Sequence, residues 1–322
     1  MNSKVTILLT FVLFVVLFIS CEQTLEFNAE DTESRLTVGA LANPDTTLLV
    51  HIYKTKFFLY DNLLSTESTF IVPEASVRLT VNGEKEYGFS YDPEKHLYRA
   101  DYRPVSGDIL LLKISKEGFR SVSAETVVKD KASFEIVQSH IYYNENPKRM
   151  MKDGMILPVD FYGSDTVMSI ECKISDRANV KNYYRLNVRS IGSDKTGPLG
   201  INDYAVANDI FTSDDILFFD KNLTSSVNGW PENFTNLFDD SLFEGKEYTF
   251  TIVSRKRNSP FNWIEFDLQQ ISEEFYKYLK SIDTYHSSSK DIYAEPVFLF
   301  TNVENGAGIF GSLTSNKYIL NF

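Results

Sequence analysis

The stretch ASVRLTVNG, residues 75–83, decides the fold class. Val77, Leu79 and Val81 alternate with polar side chains, which is the period of a β-strand with one buried face. Asn82-Gly83 follows directly, and this dipeptide is the strongest short-range signal for a tight connection between two strands. The stretch therefore predicts an antiparallel β-hairpin.

Further strand-like segments surround this hairpin, and no helical pattern interrupts them. Turn residues separate the segments at a spacing of about 8–12 residues, which is typical of an antiparallel sandwich. We therefore predict an immunoglobulin-like β-sandwich over residues 34–130. Its other strands are expected within residues 35–41, 46–55, 86–92, 97–102, 108–115 and 119–128.

The rest of the chain, residues 131–322, predicts a second β-rich domain, either a sandwich or a partly closed barrel. Tyr184, Leu186 and Val188 alternate with polar residues, as expected for a half-buried strand. The chain is expected to end in a pair of strands. The strand-like segments are residues 133–143, 155–163, 165–175, 182–191 and 247–257.

One C-terminal amphipathic helix is predicted within this second domain. Ser272 is suited to cap its first turn, and Glu273 and Glu274 suit the positive end of a helix dipole. Apolar side chains then recur at helical spacing. They are Ile271, Phe275, Tyr278, Leu279 and Ile282.

The first residues, MNSKVTILLTFVLFVVLFISC, have the pattern of an export signal. Lys4 is followed by an apolar run that is shorter than the roughly 20 residues of a membrane span. Because the run ends at Ser20 and Cys21, we predict a lipoprotein signal peptide over residues 1–20 and a lipid anchor on Cys21. A plain secretory signal or an N-terminal membrane anchor is the alternative.

An acidic tether, residues 21–33, is expected to hold the first domain away from the membrane, although a first strand there is an alternative. The net charge of the chain is −12. Such a chain lacks the basic surface that nucleic-acid binding requires, and anionic lipid surfaces repel it. Membrane attachment is therefore expected to depend on the acyl chains at Cys21.

Cys172 is the only other cysteine, and it lies in a strand-like segment. We interpret it as a buried structural thiol rather than a nucleophile. Since no internal disulfide is then available, stability must come from packed cores. The 25 Phe and 18 Tyr residues supply large apolar side chains for such cores, and they favour β-sheets.

Residues 192–243 form a long segment without regular periodicity, and long irregular loops are often functional. Trp230 is a weak candidate for contact with a ligand or a partner, and the alternative is that it plugs the end of its own sheet. The acidic residues of this segment lack the spacing of a calcium-binding loop, so no metal site is predicted. They are Asp203, Asp209, Asp214, Asp215 and Asp220.

The chain shows no catalytic motif among HExxH, CxxC and GxSxG. Asp214-Asp215 and Asp239-Asp240 would serve glycosidase-type chemistry only if two carboxylates converged in a cleft. Residues 306–311, GAGIFG, fit GxGxxG, but a strand rather than a helix is expected to follow, which argues against a dinucleotide site. We interpret these glycines as turn or bulge positions near a sheet edge. No catalytic residue and no cofactor is predicted.

Several segments carry a resemblance to a known family. CEQTLEF (21–27) precedes RLTVGALAN (35–43), and ISEEFYKYLKSID (271–283) precedes EPVFLFTNVENGAGIFG (295–311). In this combination the chain resembles a Bacteroidota outer-membrane lipoprotein family catalogued as domain of unknown function 4249. The resemblance implies an outer-membrane lipoprotein, often encoded near TonB-dependent transporters. It implies no catalytic residues, and it assigns GAGIFG to the fold.

Three tripeptides also resemble the O-glycosylation sites of such bacteria, although the pattern is short. They are residues 45–47, 165–167 and 240–242.

These observations lead to the hypothesis of a non-enzymatic lipoprotein on the outer membrane, with a binding or accessory role and a TonB-dependent β-barrel transporter as its partner. A structural or adhesive surface protein is the alternative. A glycan-acting hydrolase that uses carboxylates of residues 192–240 is a further one.

Overall fold

The protein is described from a computed structural model, which covers residues 34–55, 70–144, 151–152, 155–156, 165–191, 211–212, 237–256, 263–288 and 297–321. The predicted signal peptide and tether lie outside these ranges. Within them, no helix is long and apolar enough to cross a membrane.

The described residues form strands, one α-helix and a short 3-10 turn at Asp240–Leu242. In the first half of the chain the strands are β1 (Leu36–Ala42), β2 (Leu49–Lys54), β3 (Ser76–Val81), β4 (Lys85–Asp92), β5 (Leu97–Ala100), β6 (Ile109–Ser115), β7 (Val122–Val127) and β8 (Ser133–Asn144). Then come β9 (Met151–Lys152), β10 (Met155–Ile156), β11 (Asp165–Ser175), β12 (Tyr183–Ile191), β13 (Phe211–Thr212), β14 (Leu237–Asp239), β15 (Glu247–Lys256), β16 (Trp263–Ile271), α1 (Glu273–Ser288) and β17 (Ala307–Asn321).

One large sheet runs through both halves of the chain. Its strand order is β14-β12-β16-β17-β1-β2-β5-β4-β3-β6-β7. The predicted hairpin lies within it, since Val81 pairs with Lys85 across the turn. Asn82 and Gly83 have φ angles of 53° and 72°, the left-handed conformation for which this dipeptide is suited.

The first core lies between β17-β1-β2-β5 and β3-β6-β7. Along β1, buried residues alternate with partly exposed ones, so one face of the strand points into this core. Leu79 on β3, Leu110 on β6 and Val50 on β2 are fully buried in the same cluster. Residues from both layers meet there, which makes the N-terminal part a β-sandwich.

The second core lies under the other end of the large sheet. A four-stranded sheet, in the order β13-β15-β11-β8, packs against β12 and β16. Ile170 and Cys172 from β11 meet Leu186 and Phe266 there. Of the two predicted alternatives for the second part, the structure therefore has the sandwich.

Helix α1 covers the opposite face of β16 and β17. Phe275 and Leu279 pack against Ile271 and Ile309. The predicted cap is confirmed, because Ser272 Oγ accepts a hydrogen bond from the backbone N–H of Phe275 at 3.4 Å. The predicted class is confirmed as well: a mainly β chain with two sandwich-like parts and one helix among the described residues.

Three details of the predictions were wrong. Ile271 does not belong to the helix, since it is the last residue of β16 and pairs with Leu313. Strand β16 itself was not recognised in the sequence. The chain ends in the single long strand β17, not in a strand pair, and β17 pairs with β1 in parallel and with β16 in antiparallel orientation.

Candidate functional site

The sequence-predicted site residues are only partly within the described structure. Cys21, Trp230 and Asp214-Asp215 lie outside the described residues. Asp239-Asp240, Cys172 and the GAGIFG segment lie within them. The polar groups around these residues define two clusters in the second half of the chain.

The first cluster holds the carboxylate pair Asp239-Asp240 at the end of β14. Lys181 Nζ lies 2.7 Å from Asp240 Oδ1 and 3.1 Å from Asp239 Oδ1. Asp240 is only 1% exposed, and its Oδ2 accepts a hydrogen bond from the Asn182 N–H at 2.6 Å. We call this group the Lys181 clasp. It joins the end of β14 to the start of β12.

Hydrogen bonds lower the pKa of Asp239 within the clasp. Burial alone would raise the pKa of Asp239, but hydrogen bonds from Ser241 and Lys181 hold it below its ordinary value. Both carboxylates of the pair are therefore committed to one lysine and to neighbouring N–H and O–H groups. This arrangement fixes a turn and does not place two carboxylates on opposite sides of a cleft.

Asp176 accepts several hydrogen bonds next to the clasp. Its Oδ1 accepts hydrogen bonds from the Tyr184 hydroxyl at 2.7 Å and from Asn182 Nδ2 at 3.0 Å. Its Oδ2 accepts one from the Gly245 N–H at 2.8 Å. Burial, and then the bond to Asp176, raise the pKa of the Tyr184 hydroxyl, which therefore remains a donor. The network extends to β16, since Gln270 Nε2 donates to Asn182 Oδ1 at 2.6 Å.

The second cluster is a line of polar residues on β16, which we call the polar row: Glu265, Asp267 and Gln269. They are 6%, 1% and 7% exposed, respectively. They share one face of the strand, because Phe266 and Leu268 between them point into the second core. Gln269 Nε2 donates to Asp267 Oδ2 at 2.8 Å.

The neighbouring strands continue this polar surface. Arg185 and Asn187 on β12 pair in register with Gln269 and Asp267. On β17, Ser315 pairs with Gln269 and Lys317 with Asp267. Ser315 Oγ also contacts Asp267 Oδ2 at 3.4 Å. The row is therefore the centre of a three-stranded polar face.

A buried polar face is unusual in a β-sandwich. Burying a carboxylate or an amide costs free energy unless hydrogen bonds compensate it, and an apolar residue at the same place would not carry that cost. Acceptors lie on β16, and donors lie on the two flanking strands. This buried polar face is the candidate functional site of the described residues.

Sequence reasoning missed this surface, although a signal for it was present. In WIEFDLQQI (263–271), Ile264, Phe266 and Leu268 alternate with acids and an amide. That alternation predicts a strand with one solvent-facing side. Only the three-dimensional structure reveals that the second side is buried as well.

The GAGIFG segment has a structural role in the described fold. It begins β17, which lies between β16 and β1 in the sheet order, so the predicted position near a sheet edge was wrong. A β-carbon at Gly311 would lie 2.7 Å from Phe275 Cβ, so this glycine lets α1 approach the sheet. Gly308 makes a similar close approach to β1.

The residues before GAGIFG form hydrogen bonds to the strands around the start of β17. Asn302 Nδ2 donates to the carbonyls of Glu125 and Phe310, and its Oδ1 accepts from the Phe310 N–H. Glu304 accepts a hydrogen bond from Ser123 Oγ at 2.9 Å. The segment Asn302–Gly311 therefore ties β7, β1, β17 and α1 together.

Two of the tripeptides that resemble glycosylation sites can be described. Thr46 is exposed in the turn between β1 and β2. Ser241 is exposed as well, but its hydroxyl donates to Asp239 and accepts from Lys181. Modification of either remains a prediction.

The structure was also searched for metal sites. In the described ranges, no group of three or more His, Cys, Asp or Glu side chains is arranged to hold an ion.

The comparison with protein families matches residues 22–319 to the family model described as Domain of unknown function (DUF4249). The chain belongs to this family. A search of curated proteins returned no match. The DUF4249 match covers both sandwich-like parts, the clasp and the polar row. It also begins at the residue directly after Cys21.

Proposed function

We propose that this DUF4249 protein is a non-enzymatic lipoprotein of the outer membrane, anchored by acyl chains on Cys21, with a binding or accessory role. The position of Cys21 carries the proposal. A short cationic start and an apolar run precede it, and the family match begins at residue 22. The family region thus follows directly on the cysteine that would become the N-terminus after signal cleavage.

A TonB-dependent β-barrel transporter is the proposed partner, on the cell-surface side of the membrane. The resemblance of the chain to lipoproteins encoded near such transporters supports this choice. The architecture supports a binding role, because two sandwich-like parts joined through one sheet carry a row of polar side chains on β16. The Lys181 clasp favours this role over hydrolysis for Asp239-Asp240, since both carboxylates are held by one lysine.

The test is purification of the natively expressed protein from membranes in a mild detergent after cross-linking of whole cells. A large β-barrel protein should be isolated together with it. The control is Cys21→Ser, which should fold normally but appear in the soluble fraction and lose the partner. Membrane retention of the Cys21→Ser variant would contradict the anchor. An uncomplexed monomer from the wild-type membranes would contradict the transporter partnership.

A further inference from the structure

We infer that β17 acts as a C-terminal latch: the two sandwich-like parts form one cooperative folding unit, which closes only when β17 is in place. Neither part is then an independent domain, and both fold together. This latch is a property of the fold and goes beyond the proposed binding role. The side chains of β17 carry it, because they reach both cores and the connection between β7 and β8.

The first core is incomplete without residues from the C-terminal end of the chain. Phe310 on β17 is fully buried, and it belongs to the same cluster as Leu79 and Leu110 of the first sandwich-like part. Val303, which precedes the strand, is 4% exposed and lies in this cluster as well. In addition, β17 pairs in parallel with β1 from Thr37 to Ala42. The N-terminal segment alone therefore lacks part of its own core.

The same face of β17 continues into the second core. Even-numbered residues of the strand share this face, because side chains alternate along a strand. On it, Tyr318 and Leu320 pack against the second core, and the ring of Tyr318 meets that of Phe134 edge to face, with 5.5 Å between the centroids. The eight residues from Phe310 to Tyr318 span about 26 Å. One strand face therefore supplies side chains to both cores.

Between the two cores, β17 holds the connection that joins β7 to β8. Four residues of the same face donate side-chain hydrogen bonds to backbone carbonyls of residues 127–134. The bonds run from Ser312 Oγ to Val127 (2.6 Å), from Thr314 Oγ1 to Asp130 (2.7 Å), from Asn316 Nδ2 to Ala132 (3.2 Å) and Phe134 (3.3 Å), and from the Tyr318 hydroxyl to Phe134 (2.7 Å). A hinge would leave these carbonyls to water, whereas here β17 fixes them.

The shared strand changes the expected order of folding. Two cores of this kind ordinarily define two domains, and the N-terminal domain folds first. Here neither core is complete before β17 has paired with β1, and these strands lie at opposite ends of the described chain. If the chain is exported as proposed above, it stays unfolded until its C-terminus has been delivered, a consequence that rests on that proposal.

Hydrogen exchange with mass spectrometry, on the full chain purified in mild detergent, tests the latch. Peptides from β3 and β6 report on the first core, and peptides from β11 report on the second. With pulse labelling during refolding from urea, protection of both sets of peptides should appear with one rate constant. At equilibrium, both sets should lose protection at the same urea concentration.

Phe310→Ala removes a side chain from the first core, so it distinguishes one folding unit from two. Protection should fall by the same factor in both sets of peptides, about a hundredfold or more, as expected when a buried phenylalanine is deleted. Tyr318→Phe is the reciprocal change, because it removes only the hydroxyl that is bonded to Phe134. It should lower protection about fivefold in both sets, and it serves if Phe310→Ala fails to fold.

Phe298→Ala is the matched control, because Phe298 is 90% exposed and lies shortly before β17. It should leave protection unchanged. Loss of protection that is confined to β3 and β6 in Phe310→Ala, or to β11 in Tyr318→Phe, would overturn the latch. Protection of the first core that precedes protection of the second during refolding would overturn it as well. Since purified protein is measured throughout, a negative result leaves the Cys21 anchor and the transporter partnership standing.

Discussion

Gly308 on β17 and Val38 on β1 face each other across the parallel strand pair, and no side chain fits between them. A β-carbon at Gly308 would lie 2.0 Å from the Val38 carbonyl oxygen. The φ angle of Gly308 is +99°, a conformation that other residues rarely adopt. Strand β17 can therefore pair with β1 only because residue 308 is glycine.

Gly308→Ala is predicted to destabilise the protein strongly. The methyl group must displace β1 or β17, and the backbone conformation is unfavourable for alanine, so we expect a loss of about 3 kcal/mol or more. Thermal unfolding followed by circular dichroism measures it. Gly88→Ala on β4 is the control, because Gly88 has open space around it and should change the melting temperature little. Equal effects of the two substitutions would contradict the close approach.

The contact between Gly308 and Val38 also marks the limit of what the sequence predicts. The turn at Asn82-Gly83 was predicted correctly, because its conformation depends on the residues themselves. The pairing of β1 with β17 depends on two segments at opposite ends of the chain, and no local pattern encodes it. Ile271 was misassigned for a related reason: strand β16 runs almost directly into α1, so an apolar residue at the junction fits both periodicities.

The candidate site was hidden from the sequence in a similar way. Asp267 and Gln269 have the residue types of a solvent-facing strand side, and their burial follows from the packing of the whole sheet. For Asp239-Asp240, the sequence showed two adjacent acids but not their shared partner Lys181. The sequence shows which residues are acids and amides, but it does not show which of them are buried or which partners they have.

Cys172 is predicted to be unreactive in the folded protein. Its side chain is fully buried on β11, and burial together with the neighbouring Glu171 charge raises its pKa to about 12. Thiolate is the reactive form, so alkylation by iodoacetamide at about pH 8 should be negligible. A Cys21→Ser background makes Cys172 the sole thiol, and mass spectrometry measures the modification.

Two comparisons complete the thiol experiment. The same protein in urea should be alkylated readily, and Ser106→Cys places a control thiol at an exposed loop position. Rapid alkylation of folded protein at Cys172, at the rate of the exposed control, would show that the second core is open.

Asp108 is predicted to make stability depend on pH in the acid range. Burial favours its neutral form, but hydrogen bonds from Tyr102, the Val105 N–H and Asn82 together lower its pKa below the ordinary 3.8. A group with a lowered folded-state pKa stabilises the protein above its unfolded pKa, and this contribution is lost as pH falls through the folded pKa.

The measurement is the melting temperature of wild type and Asp108→Asn between about pH 2 and pH 6. The wild type should be more stable by a constant amount above about pH 4, and the difference should shrink below it. Glu94→Gln, an exposed carboxylate in the β4–β5 turn, is the control and should follow the wild type throughout. A difference that grows as the pH falls has the wrong sign and would refute the assignment.

Lys181→Met is predicted to destabilise the clasp because it leaves a buried charge without its cation. Asp240 is 1% exposed, and among the described residues only the Asn182 N–H would remain as a donor to its carboxylate. Removing one partner of a buried pair typically costs 3–5 kcal/mol, but Lys181 is half-exposed, so we expect about 2 kcal/mol. Lys277→Met is the control: the pair of Lys277 and Glu273 on α1 is a surface pair that contributes about 0.5 kcal/mol or less.

The double variant Lys181→Met/Asp240→Asn distinguishes a clasp from two independent side chains. With the aspartate neutral, loss of the lysine should cost much less, so the double variant should be more stable than the sum of the single changes predicts. Urea denaturation yields the three free energies of unfolding. Additive effects would mean that Lys181 and Asp240 do not stabilise each other. Interactions other than this ion pair would then hold the turn at the end of β14.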